Sequence, residues 1–213
     1  MGDAEPKKLV AAGYDAIAAR YLEWSSGSRV RLHYLGKLLH LLPPGGGEVL
    51  ELGCGAGLPV SRALAKRCRL TGVDISPVQV NRARRTVPAG TFLCADMMAI
   101  ALPPAHFDVV AAFYAFTHVP RCEHAELLGR VFTWLRPGGW LLASFGSGDC
   151  CDLIVHNWLG APNFFSHFNA DTNLHLIKTS GLEIVEQAIT PQDEEGEEHT
   201  KFLWVTARKP ASA

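Results

Sequence analysis

Val49-Leu50-Glu51-Leu52-Gly53-Cys54-Gly55-Ala56-Gly57 is the stretch whose reading decides the fold. Its apolar half continues a strand, Glu48 to Leu52. Glycines at 53, 55 and 57 then let the backbone turn sharply and approach a ligand closely. A helix is expected from about Pro59 to Lys66, since proline suits a first helical turn, where a missing N–H costs nothing. The start of that helix offers free N–H groups to an anion. A second strand, Arg69 to Val73, ends at Asp74, where a carboxylate can accept both hydrogen bonds of a ribose diol.

Outward from this unit the alternation repeats. A helix starts near Ser76-Pro77, a cap followed by proline, and Thr91 to Cys94 is a short third strand. Phe107 to Phe113 is a fourth, rich in apolar residues as a strand covered on both faces should be. Leu127, Val131, Trp134 and Leu135 mark one face of a helix that stops at Arg136-Pro137-Gly138-Gly139, and Trp140 to Ser144 is a fifth strand. This alternation predicts a doubly wound α/β fold with a mostly parallel sheet. Upstream, Tyr14, Ile17, Ala18 and Tyr21, then Leu35, Leu38, Leu39 and Leu42, follow helical spacing. Ser25-Ser26-Gly27-Ser28 separates the two patterns and Pro43-Pro44-Gly45-Gly46-Gly47 ends the second. Downstream, Gly146 to Phe168 reads as a loop-rich aromatic stretch and Asp171 to Thr179 as a helix. Strands Leu182 to Ile189 and Phe202 to Ala207 flank an acidic turn, Asp193 to Glu198, expected to be a solvated hairpin loop.

Composition narrows the function. The chain has 213 residues, 48% hydrophobic and 19% charged, with a formal net charge of −1. No basic stripe suggests a nucleic-acid partner. The polar opening Met1-Gly2-Asp3 has no apolar leader, and no apolar run approaches the roughly 20 residues of a membrane span. A cytoplasmic protein without a membrane partner is expected. Six cysteines, at 54, 68, 94, 122, 150 and 151, lack metal-ligand spacing and are read as free thiols. The adjacent pair Cys150-Cys151 lies in the expected substrate region.

A glycine-rich turn alone would also suit a nicotinamide dinucleotide. That pattern needs a glycine at 58, which is Leu58. Glu51 would repel a pyrophosphate; it makes better sense near a cation, such as the ammonium and sulfonium of S-adenosylmethionine. Four segments together resemble the class I, Rossmann-like methyltransferases: Val49 to Gly57, Gly72-Val73-Asp74-Ile75-Ser76, Cys94-Ala95-Asp96-Met97, and Leu135-Arg136-Pro137-Gly138-Gly139. The resemblance covers roughly residues 48 to 145 and implies a seven-stranded sheet whose last strand runs antiparallel between the fifth and sixth. It implies one domain: an N-terminal helical lid (1–45), a cofactor core (46–145), a substrate-side cap (146–180) and a C-terminal antiparallel hairpin (181–213).

The same resemblance implies residue roles. Gly53, Gly55 and Gly57 would line the methionine part of S-adenosyl-L-methionine, with Glu51 near its ammonium. Asp74 would hold the ribose, Ile75 pack on adenine, Asp96 accept from the adenine amino group beside Met97, and Phe113 lie near the methionine. Tyr14 and Tyr21, in Tyr14-Asp15-Ala16-Ile17-Ala18-Ala19-Arg20-Tyr21, would close over the cofactor as a lid. His118 follows the fourth strand and is the leading general base, with His167 a second catalytic candidate. Trp158, Phe164, Phe165 and His167, with Ser166, would form the substrate pocket. Metal-independent methyl transfer to an O, N or S atom of a small molecule is expected. A non-catalytic S-adenosylmethionine-binding subunit and a NAD-dependent oxidoreductase stay open, as do the oligomeric state and the methyl acceptor.

Overall fold

In the computed structural model the described residues are 4–211; Met1-Gly2-Asp3, the opening that was read for a leader, lie outside them. Seven strands form the main sheet: β1 (Glu48–Leu52), β2 (Arg69–Asp74), β3 (Thr91–Cys94), β4 (Phe107–Ala112), β5 (Leu135–Gly146), β8 (Glu183–Pro191) and β9 (Lys201–Arg208). Their order is β3-β2-β1-β4-β5-β9-β8. The first five are mutually parallel, and β9 lies antiparallel between β5 and β8. This is the α/β, Rossmann-like sheet expected from the alternation.

The strands of the middle are apolar on both faces because helices cover both. Leu50, Leu52, Val110 and Ala112 enter one core with Leu127, Leu128 and Val131 of α5 (His124–Trp134) and Ile177 of α6 (Ala170–Thr179). Their neighbours Val49, Val109 and Ala111 enter the opposite core. There they meet Leu38 of α2 (Arg29–His40), Leu64 of α3 (Val60–Leu64) and Val80 of α4 (Pro77–Thr86). The two-residue period of a strand makes this division, and each fully buried side chain of this size contributes about 1.5–3 kcal/mol. Trp204, at the centre of β9, is 1% exposed and stacks on Tyr34 with ring centroids 3.8 Å apart. That contact fixes α2 to the sheet.

Helix starts follow capping chemistry. Ser76 caps α4, its side chain accepting from the Gln79 N–H, with Pro77 next; Asn169 caps α6 through the Thr172 N–H. α1 (Ala4–Ser25) lies across the carboxyl ends of the strands.

Two expectations need correction. Residues 146–168 are not loop-rich: β6 (Cys150–Trp158) and β7 (Ala161–His167) form an antiparallel hairpin. Trp158 pairs with Ala161, leaving the two-residue loop Leu159-Gly160 with φ of 52° and 97°. Positive φ at both positions is the geometry of a tight hairpin turn, but leucine first is not its usual signature. The acidic turn is not simply solvated either. Asp193 accepts from Ser28 Oγ at 2.6 Å, from the Arg29 N–H at 2.6 Å and from the Val30 N–H at 3.2 Å, closing the start of α2. Glu194 is buried, and the Glu195 carbonyl accepts from Trp24 Nε1 at 2.9 Å. A smaller difference is that β5 starts at Leu135, so it contains the Pro137-Gly138-Gly139 turn expected to precede it.

Candidate functional site

Two adjoining cavities open where β1, β2 and β4 end, and α1 roofs both. Gly53, Gly55, Asp74, Ile75, Met97 and Phe113 line the first from below, with Val10, Tyr14 and Tyr21 above. A crevice continuous with it, through Tyr21, Gly53, Gly55 and Phe113, reaches Glu51 and Arg31. The second cavity, about 260 Å³, is walled by Trp24, Leu153, Val155, Trp158 and Phe165, with polar Gln192, Glu197 and Thr200 from the acidic turn and its flanks. Tyr14, Tyr21 and His118 border both cavities.

The glycine loop divides its labour. Gly53 has φ of 73°, and a Cβ there would lie 2.7 Å from that of Ala115, so only glycine fits. Gly57, by contrast, borders neither cavity. A Cβ on it would meet Val87 and Ala83, so glycine here lets the loop pack closely on the end of α4.

Asp74 closes the loop from β2. Its Oδ2 accepts from the Gly55 N–H at 2.8 Å and its Oδ1 from the Ser76 N–H at 2.9 Å. Burial raises its pKa against the pull of these donors. Glu51, 5% exposed, accepts from Ser61 Oγ at 2.5 Å. Burial pushes its carboxyl up to about 8. It is therefore a mostly neutral acid at pH 7 until a cation arrives.

Arg31 was missed in the sequence. It is buried, 4.5 Å above the Tyr114 ring, and its Nη2 donates to Tyr21 at a long 3.3 Å. Glu194 lies 3.5 Å away, and Arg31 Nε has no partner among the described residues. A signal existed: Arg31 precedes Leu35 by one helical turn, so it interrupts the apolar stripe of α2.

Asp96 is held differently from the expectation. Its Oδ1 accepts from the Met98 N–H and its Oδ2 from Lys7 Nζ, each at 2.9 Å; Lys7 also lies 2.7 Å from Glu123. Met97 borders the first cavity and Asp96 does not. On β7, Phe165 and His167 face the second cavity. Phe164, one residue out of phase, points the other way: it is 2% exposed and borders a groove beside Pro120 and Ile154. Ser166 shares that face, donating to Asp152 at 2.9 Å and accepting from the Arg121 N–H at 3.0 Å. Neither side chain borders the second cavity, in contrast to the expected grouping with Trp158, Phe165 and His167. Cys150 borders the second cavity and Cys151 is exposed, both as free thiols.

His118 is partly buried between the two cavities. Its Nδ1 lies 2.9 Å from the Phe164 carbonyl, and its Nε2 2.7 Å from the Tyr14 hydroxyl. Burial lowers its pKa to about 4. His167 Nδ1 donates to the Gly148 carbonyl at 2.7 Å. Among the described residues, no group of three or more His, Cys, Asp or Glu could hold a metal ion. No described helix is long and apolar enough to cross a membrane.

Residues 49–139 match the family model described as a methyltransferase domain. This segment is thus similar to a methyltransferase domain. The chain is 41% identical, over 127 residues, to 2-methyl-6-phytyl-1,4-hydroquinone methyltransferase of Synechocystis; the match covers 56% of this chain and 38% of that protein. The chain spans about half the length of the curated relatives it matches. Among solved structures, 1,6-didemethyltoxoflavin-N1-methyltransferase of Burkholderia thailandensis superposes with a TM-score of 0.73 at 18% identity, covering 99% of this chain and 91% of that one. The [4+2]-cyclase SpnF superposes with a TM-score of 0.74 at 17% identity, covering 97% of each. One fold thus carries proteins named for different reactions, so the reaction has to be argued from the site.

Proposed function

We propose that the chain transfers a methyl group from S-adenosylmethionine to a small-molecule acceptor. The observation that carries this reading is that Glu51 and Arg31 line one crevice beside the glycine loop. Glu51 has one hydroxyl donor and Arg31 has long, incomplete contacts. A buried acid and a buried guanidinium, each short of partners, fit the ammonium and carboxylate of an amino acid. A dinucleotide has no such zwitterion at the corresponding place. Asp74 at the end of β2 would take the ribose hydroxyls, and Ile75 and Met97 would flank the base. For Asp96 to take the adenine amino group, it would have to share its carboxylate with Lys7 or release it.

When bound, the donor supplies an electrophilic methyl carbon beside a sulfonium. The chain's own work is alignment and exclusion of water. Tyr14 and Tyr21 of α1 form the partition between the two cavities. Trp158, Phe165 and Leu153 offer an acceptor an apolar, largely aromatic wall. The relatives' names support small-molecule acceptors, hydroquinones among them. The soluble cellular interior is the setting this reading expects.

Calorimetric titration with S-adenosylmethionine, S-adenosylhomocysteine and NAD tests the cofactor. Binding of the first two at micromolar levels without NAD is expected; the reverse order overturns the reading. Labelled-methyl transfer into a small-molecule extract then separates an enzyme from a protein that only binds the donor.

A further inference from the structure

The contact between Tyr14 and His118 joins the lid to the core at the junction of the two cavities, and its hydrogen positions are fixed by elimination. A backbone carbonyl only accepts, so His118 Nδ1, 2.9 Å from the Phe164 oxygen, carries a hydrogen. In the neutral ring Nε2 is then a bare acceptor, and the Tyr14 hydroxyl 2.7 Å away donates to it. His118 therefore has no nitrogen free for a substrate while the lid is closed. The Tyr14 oxygen still has acceptor capacity, and Tyr14 borders both the donor-side and the acceptor-side cavity.

We propose that Tyr14 is the catalytic residue that touches the acceptor's hydroxyl, and that it relays the proton to His118. The proposal rests on the methyl-transfer reading above. In the step, the acceptor oxygen forms a bond to the methyl carbon while the carbon–sulfur bond breaks, its electron pair staying on sulfur. The acceptor's O–H bond breaks and its proton passes to the Tyr14 oxygen. The Tyr14 proton passes to His118 Nε2, so tyrosine ends neutral and histidine ends as imidazolium. One positive charge leaves the sulfur and one appears on the ring, so the closed site holds the same net charge before and after. The imidazolium has both N–H groups satisfied, by Tyr14 and by the Phe164 carbonyl.

The surroundings suit that task. Burial keeps His118 neutral and able to accept over the physiological range, and burial also holds the Tyr14 hydroxyl protonated, well above its ordinary value. The titratable and charged groups around the pair are Tyr21 and Asp74 on the donor side, Arg31 and Tyr114 where the cavities meet, and Cys150, His167 and Glu197 on the acceptor side. None of these hydrogen-bonds to the His118 ring. The aromatic wall formed by Trp158 and Phe165 favours a flat hydroxyl acceptor, so the relay points to phenols over amines. An amine carries its own lone pair and can lose its proton after transfer.

The test uses the full chain saturated with S-adenosylhomocysteine, with its histidines labelled with nitrogen-15. The relay requires that His118 hold the Nδ1–H tautomer and not titrate between about pH 5.5 and 9. It also requires that the Nε2 resonance move in Tyr14→Phe. An Nε2–H tautomer, or ordinary titration near 6.5, overturns the relay while the homocysteine product still binds; absence of that binding instead defeats the methyl-transfer reading. A kinetic arm offers labelled S-adenosylmethionine with a set of simple phenols and a set of simple amines. Transfer to phenols that falls about 10²-fold or more in kcat in Tyr14→Phe, with little change in KM, supports the relay. An unchanged or raised rate, as direct proton transfer to a freed Nε2 would give, overturns it, and so does transfer confined to amines. Where neither set is methylated, the imidazole readout decides alone.

Discussion

The proposed donor side and the proposed acceptor side of this molecule are built on different principles. On the donor side, Gly53, Gly55, Asp74, Ile75 and Met97 lie at the ends of consecutive parallel strands, and backbone geometry sets their positions. On the acceptor side, Trp24, Trp158, Phe165 and Gln192 come from α1, the β6–β7 hairpin and the edge of the acidic turn. Side-chain contacts between segments far apart in sequence hold that wall together. The difference teaches that a site whose geometry is local in sequence announces itself by motif, whereas one assembled from distant pieces does not.

The largest effect should separate the two faces of β7. Phe164→Ala should destabilise the chain by about 3–5 kcal/mol, as for a buried aromatic, and Phe165→Ala by much less, with its effect on acceptor binding instead. Denaturation midpoints check this, and equal losses would break the division of faces. Next, Arg31→Met should weaken S-adenosylhomocysteine by about 2–3 kcal/mol, since it removes charge-assisted hydrogen bonds from a buried site. Calorimetry showing unchanged affinity would take Arg31 out of the donor side.

Glu51 sharpens the comparison through pH. Its folded pKa, about 8, leaves it protonated at lower pH in the free protein, and a bound ammonium would favour its ionised form. Binding should then release a proton, so affinity should tighten by up to about tenfold per pH unit on rising toward pH 8. Calorimetry in buffers of different ionisation enthalpy reads the proton directly; Glu51→Gln should abolish the release. The sign for stability is opposite. The raised folded pKa contributes stability that is full below pH 4.5, the unfolded value, and is lost as pH rises through about 8. The smallest effect is at the clasp: Asp193→Ala removes the acceptor at the start of α2 and should cost about 1 kcal/mol in thermal unfolding.

The same contrast explains what could be read from the residues alone. The order β1 to β5 and the ends of those strands were legible because each carries its own punctuation: Gly53 to Gly57, Asp74 before Ser76-Pro77, and Pro137 to Gly139. Arg31 carried only a faint signal, a charge on an apolar stripe, and its meaning depends on Glu51 arriving from another element. The β6–β7 hairpin was hidden because Leu159-Gly160 lacks an asparagine or aspartate at its first position, so the stretch read as loop. Phe164 and Phe165 could be placed on opposite faces only once 161–167 was known to be a strand. Gly57 and Asp96 fit the expected motif, but tertiary contacts with Val87 and Lys7 give them other neighbours.

The clasp between the acidic turn and the start of α2 has a consequence for how the molecule folds. Its hydrogen bonds join residues 163 to 171 positions apart, so forming them closes a very large loop. Chain-closure entropy grows with that separation, whereas the β1–β2 unit pairs residues only about a turn and a helix apart. The parallel core can thus assemble while the roof is still swinging, and the roof docks once β8 and β9 have joined the sheet. Binding competence is on this account the last property the chain acquires. Amide exchange during refolding should show α1 protected after β1 and β4, in one step with β9.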